Sequence, residues 1–128
     1  MFKRFSRTAL LALPLAFAWM GAQAQTARYC DGRIVANAFY SHVDSNGSRS
    51  TVPYFVQLQN QSGEAIRYTI RFTAPHIMQP QNGSTLATLA SYQQAAVTLG
   101  RQSFNNPGGV GQLSQAELIR YTQVTCPR

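Results

Sequence analysis

His42 and His76 are the side chains of this 128-residue sequence best suited to moving a proton near neutral pH. Tyr40, Glu64 and Arg71 stand near them in the sequence and add hydroxyl, carboxylate and guanidinium. A small nuclease-like hydrolase needs those types: a proton shuttle near pH 7 and a clamp on a phosphate. In that reading His42 or Glu64 is the base, His76 the acid and Arg71 the clamp. Their types recommend them, whereas no spacing rule joins them. His76-Ile77-Met78 also places an imidazole and a thioether two residues apart. Such soft ligands suit Cu(I), and His42 supplies a conceivable third.

Other catalytic patterns are missing. No serine sits in a nucleophile-elbow context. Gly108-Gly109-Val110-Gly111 has neither the spacing of a dinucleotide loop nor the Gly-Lys-Ser/Thr ending of a phosphate loop. Non-catalytic binding has a clearer signature. Arg67, Thr69, Arg71 and Thr73 fall on one face of a period-two segment, and an Arg/Thr face can hydrogen-bond carboxylates, phosphates or glycans.

Period-two alternation marks the elements that must position these groups. Ile66, Tyr68, Ile70 and Phe72 share the face opposite the Arg/Thr row, the pattern of a half-buried strand. Upstream, Val52, Tyr54, Val56 and Leu58 share a face, with Gln57 and Gln59 opposite and Phe55 breaking the alternation. Asn60-Gln61-Ser62-Gly63-Glu64 is turn chemistry, which predicts a hairpin and brings Gln57 and Gln59 alongside Arg67, Thr69 and Arg71. Arg33–Val43 reads as a further strand. Ala74–Gly83, with two prolines, reads as a crossing loop, and Ser84–Leu89 is ambiguous between strand and helical turn. Gln94–Leu99 reads as a strand ending at Gly100, and Arg101–Gln112 as a loop. Ser114-Gln115-Ala116-Glu117 matches a capping box, yet Ile119–Thr125 is β-branched and aromatic. A short turn feeding a strand is expected there, with a terminal helix as the alternative.

The two ends frame this pattern. Lys3, Arg4 and Arg7, the apolar run Ala9–Ala22 and the exit Ala22-Gln23-Ala24 have the layout of a secretory signal peptide over residues 1–24. Cleavage after Ala24 leaves one domain, residues 25–128, destined for the periplasm or the medium of a bacterium. Its eight arginines against four carboxylates give a net +4, a charge that favours anionic partners but lacks the clustering of a dedicated nucleic-acid binder. The remaining cysteines, Cys30 and Cys126, read as one disulfide worth at most about 4–5 kcal/mol through unfolded-chain entropy. Three Asn-x-Ser sequons, at Asn46, Asn60 and Asn82, would matter only in a eukaryotic secretory pathway, and the Ala-x-Ala exit points to a bacterium.

About six antiparallel runs return the chain end to its start, where the cysteines lie. The expected fold is therefore all-β, a small antiparallel β-sandwich. Across Arg33–Cys126 the spacing of runs resembles immunoglobulin-like sandwiches of exported bacterial proteins, without their Cys…Trp…Cys arrangement. The leading functional expectation is a non-catalytic exported module, without a cofactor, that recognises a protein or an anionic envelope component. Arg67, Arg71, Thr69, Gln57 and Gln59 would form its binding face. The small hydrolase comes second and a copper-binding protein using His42, His76 and Met78 third.

Overall fold

The computed structural model describes residues 26–127; the leader assigned to residues 1–24 lies outside them. The chain forms β1 (Ala27–Tyr29), β2 (Ile34–Ser41), β3 (Asp44–Asn46), β4 (Arg49–Asn60), β5 (Ile66–Phe72), β6 (Ala87–Leu89) and β7 (Gln94–Phe104). Among the described residues one short helix, α1 (Gln115–Tyr121), and β8 (Thr122–Thr125) follow. The expected count of about six strands becomes eight segments because β1, β3 and β6 are only three residues each.

All pairing is antiparallel. The first sheet has the order β1-β2-β4-β3, with β7 also on β4; the second has the order β6-β5-β8. Alternation dictates the burial: Ile34, Phe39, Val52, Tyr54, Val56, Leu58 and Leu99 of the first sheet are fully buried. They share one core with Ile66, Tyr68, Ile70, Phe72 and Leu89 of the second sheet and Leu118 of α1. Burying each such side chain favours folding by roughly 1.5–3 kcal/mol.

A bulge sets the phase of β2. Ala36 pairs with Leu58 and Ala38 with Gln57, so Asn37 is the extra residue. Without it, strict alternation after Ala36 would turn Phe39 outward; with it, Phe39 is buried and Tyr40 is 39% exposed.

The hairpin expected between β4 and β5 does not form. β4 carries β2 and β3 on one edge and β7 on the other, so no edge remains for β5, which joins the second sheet. Asn60 fixes the crossing. Completely buried, its Nδ2 donates to the carbonyls of Glu64 (2.6 Å), Leu89 (3.1 Å) and Ala90 (3.1 Å). Its Oδ1 accepts from the Ser62 amide (2.9 Å) and hydroxyl (2.8 Å). The Asn60 sequon is thus occupied by structural hydrogen bonds.

Two further boundaries differ from the sequence reading. β7 runs through Gly100 to Phe104, because a shift in its pairing with β4 at Tyr54/Phe55 absorbs Leu99 and pairing resumes beyond it. A Cβ at Gly100 would overlap Ile77 Cγ2 and lie 3.3 Å from Pro80 Cα. Glycine therefore lets the proline-flanked loop pack onto β7. That loop covers the strand's edge through paired hydrogen bonds between Met78 and Arg101 (2.7 and 3.1 Å) and one from the Gln81 amide to the Leu99 carbonyl (3.0 Å).

At the other end, the capping box prevails over β propensity. Ser114 Oγ accepts from the Glu117 amide (3.2 Å) and Glu117 Oε1 accepts from the Ser114 amide (2.9 Å). Helix therefore continues to Tyr121, and the strand expected over Ile119–Thr125 is confined to Thr122–Thr125. Cys30 and Cys126 form the expected disulfide, with Cα atoms 5.8 Å apart, and so tie the β1–β2 turn of one sheet to the end of β8 in the other.

Candidate functional site

Period-two strands put every outward residue on one of two sheet surfaces, and the sequence-predicted groups divide between them. On the second sheet, Arg67 and Arg71 are exposed and Thr69 is half-buried, as the alternation of β5 requires. Their cross-strand partners are Thr88 beside Arg67, Thr125 beside Thr69 and Gln123 beside Arg71. Thr73, one step past β5, is exposed as well. Among the described residues the ion pairs are His42–Asp44 and Arg120–Glu117, so neither Arg67 nor Arg71 is neutralised by a carboxylate. The surface presents two free guanidinium groups among hydroxyl and amide neighbours.

Gln57 and Gln59 do not join this surface. They project from β4 on the outer side of the first sheet, across the core from Arg67 and Arg71. There Gln57 Nε2 donates to Gln94 Oε1 (2.9 Å) and Asn37 Nδ2 donates to Gln59 Oε1 (3.1 Å). Beside this amide cluster, the Phe55 ring stacks on Tyr40 (centroids 5.1 Å apart, planes at 21°) and on His42 (5.7 Å, 15°). His42 Nε2 lies 3.3 Å from Asp44 Oδ1 with both side chains open to solvent. Asn37, Phe55 and Gln94 belong to this surface but were not picked out from the sequence as site residues. Phe55, an aromatic on the polar side of its strand, was the one visible sign.

The hydrolase constellation stays dispersed. His42 lies just past β2, whereas exposed Glu64 sits beyond the far end of β4. The five steps along β4 from Phe55, which contacts His42, to Asn60 alone span about 17 Å. Arg71 faces outward from the other sheet, and His76 is exposed in the loop over the β7 edge with φ of 61°.

The copper trio fares no better. Met78 pairs with Arg101, Arg101 with Pro53, and Pro53 follows the register that sets Tyr54 against Ser41. β4 and β7 therefore separate His42 from the segment carrying Met78, about 14 Å at the usual strand spacing. Met78 Sδ instead accepts a long contact from Ser103 Oγ (3.7 Å). Among the described residues no three of His, Cys, Asp and Glu cluster as metal ligands, and no cysteine is free.

A shallow cleft beside the disulfide is lined by Asp31, Arg33, Val124, Thr125 and Pro127 together with the two cysteines. Apart from Thr125, the partner of Thr69, it contains none of the groups of the arginine surface and none of the histidines. Burial, rather than any site, pushes the hydroxyls of Tyr29, Tyr54 and Tyr68 above the ordinary phenol range. Tyr54 spends its hydroxyl on structure, donating to Gln102 Oε1 (2.6 Å) and accepting from the Leu113 amide (3.0 Å). No helix among the described residues is long and apolar enough to cross a membrane. No family model, curated protein or solved structure matches the chain.

Proposed function

We propose that this protein is a non-catalytic exported binding module that recognises an anionic component of the cell envelope, or a protein presenting one, through the outer surface of its second sheet. The observation that carries the reading is the pair of exposed, unneutralised arginines, Arg67 and Arg71, on one strand with Thr69, Gln123 and Thr125 beside them. Guanidinium forks with adjacent hydroxyl donors suit phosphate and carboxylate oxygens. We read the two antiparallel sheets around one core as an immunoglobulin-like sandwich closed by the Cys30–Cys126 disulfide, a scaffold that offers flat surfaces for recognition. Export follows from the leader pattern and agrees with the disulfide.

Co-sedimentation with vesicles tests the reading. The oxidised mature chain, residues 25–128, should pellet with vesicles containing an anionic phospholipid and remain in solution with purely zwitterionic ones. The double substitution Arg67→Gln/Arg71→Gln should lower vesicle affinity about tenfold or more, two charges near an anionic surface each contributing about 1 kcal/mol. Equal affinity for the double variant and the wild type would remove the arginine surface from the account.

A further inference from the structure

We infer that the cleft beside the disulfide is a binding site for an amino-acid zwitterion, a group that carries an ammonium and a carboxylate on one carbon. The inference goes beyond the anion-binding reading, and its charges come from Asp31 and Arg33 rather than from Arg67 and Arg71. The cleft measures about 510 Å³. Its walls are Asp31 and Arg33 of the β1–β2 turn, Val124, Thr125 and Pro127 at the end of β8, and the disulfide that joins the two. That volume falls within the range of small-molecule sites.

The turn that carries both charges is tightly held. The amides of Gly32 and Arg33 donate to the carbonyls of Tyr29 and Cys30 (3.1 Å each), and the Cys30–Cys126 bond ties the turn to the strand end. Cys30, Asp31 and Gly32 all take left-handed backbone angles, with φ of 58°, 59° and 84°, a conformation that costs a residue with a Cβ. Arg33 Nε donates to the Cys30 carbonyl (3.2 Å). That bond anchors the guanidinium beside the cleft and leaves its two Nη amino groups for a ligand.

Charge selects the occupant. Asp31 and Arg33 stand two residues apart yet form no ion pair with each other, and among the described residues the pairs are His42–Asp44 and Arg120–Glu117. The cleft therefore offers one carboxylate and one guanidinium, both uncompensated, and no other formal charge in its lining. A simple anion is drawn to Arg33 and repelled by Asp31; a simple cation meets the reverse. A ligand carrying both charges on one carbon satisfies both, with its carboxylate on the guanidinium fork and its ammonium on Asp31. Its zero net charge matches that of the cleft, which a phosphomonoester would exceed. Half-buried Val124, Pro127 and the disulfide supply apolar contact for the carbon skeleton, and Thr125 adds a hydroxyl. Such a group occurs free, as an amino acid, and at the end of a diamino-acid side chain in a wall peptide.

Amide NMR titration of the oxidised chain, residues 25–128, with alanine of either hand and with a wall tripeptide ending in meso-diaminopimelate tests the inference. At least one probe should shift the amides of Asp31, Gly32, Arg33, Val124 and Thr125 together. Binding by alanine would identify the free amino acid as the source, and binding by the tripeptide alone the wall peptide. Acetate and ethylammonium, each with one of the two charges, should bind about tenfold more weakly or worse. Asp31→Asn should weaken zwitterion binding about tenfold and abolish the discrimination against acetate. Asparagine tolerates the left-handed backbone of Asp31, so the turn is kept. Arg33→Gln should weaken it similarly and abolish the discrimination against ethylammonium. The Arg67→Gln/Arg71→Gln variant should bind the zwitterion as the wild type does, so loss of vesicle binding and loss of zwitterion binding are read separately. No shifts around the cleft at tens of millimolar probe, or variants that weaken zwitterions and single charges alike, would overturn the inference.

Discussion

The outer surfaces of the two sheets are built by the same alternation from different chemistry. The second sheet sets Arg67 and Arg71 among threonines, with no ion pair to a carboxylate among the described residues. The first sheet sets a three-ring aromatic stack beside four amides, with exposed Arg28 beside Val35 and exposed Arg101 beside Pro53. We propose the anion for the arginine surface of the second sheet. In so small a domain the core consumes the inward half of every strand, and recognition is left to the outward half.

Since both surfaces depend on how the sheets are held together, the strongest way to disturb the comparison is to cut the link between them. Cys30→Ser/Cys126→Ser should lower stability by up to about 4–5 kcal/mol, seen as a fall in the denaturant midpoint, and should weaken binding at the arginine surface. An unchanged midpoint would mean that the shared core alone fixes the sheets. Next comes the crossing between them. Asn60→Ala strips the donor from three carbonyls and the acceptor from Ser62, and should cost about 2–4 kcal/mol by equilibrium unfolding. Gln61→Ala, at an exposed neighbour, should cost under about 0.5 kcal/mol.

Smaller effects sharpen the contrast without breaking the fold. The Arg67→Gln/Arg71→Gln variant should silence the arginine surface and leave the first sheet's outer surface unchanged. The smallest effect concerns α1. The Ser114 amide, and then its hydroxyl, hydrogen-bond the Glu117 carboxylate and hold it below its usual range. A carboxyl group held low in the folded state contributes stability above its unfolded range and loses it as pH falls through the folded value. Melting temperature should therefore decline slightly more between about pH 5 and pH 3 in the wild type than in Glu117→Gln, because the variant has no carboxylate there to protonate. Identical declines would show that the capping box contributes nothing to the acid limb.

The faces of the strands were legible in the sequence; their partners were not. Alternation over Ile66–Thr73 and Val52–Gln59 fixes which side chains point inward, and burial follows it except at Pro53, which is buried on the outer side of β4. Pairing depends instead on which edges are free. Asn60–Glu64 carries the residues of a hairpin turn, yet with both edges of β4 occupied the same residues turn the chain into the other sheet. That one difference moved Gln57 and Gln59 from the arginine surface to the aromatic one. The bulge at Asn37 is equally invisible to alternation, since it is defined by the register against β4. The cysteine positions near the chain ends did foretell the disulfide. At the C-terminal end a local signal, the Ser114/Glu117 capping box, outweighed a compositional one.

The proposal that the second sheet's outer surface binds anions is tested most directly by amide NMR of the oxidised chain, residues 25–128, titrated with vesicle-mimicking discs that contain an anionic phospholipid. The account predicts shifts or broadening concentrated on β5 and β8, around Arg67, Thr69, Arg71, Gln123 and Thr125, with Asn37, Gln57, Gln59 and Gln94 unmoved. Perturbation centred on β2, β4 and β7, or spread evenly over both sheets, would contradict it.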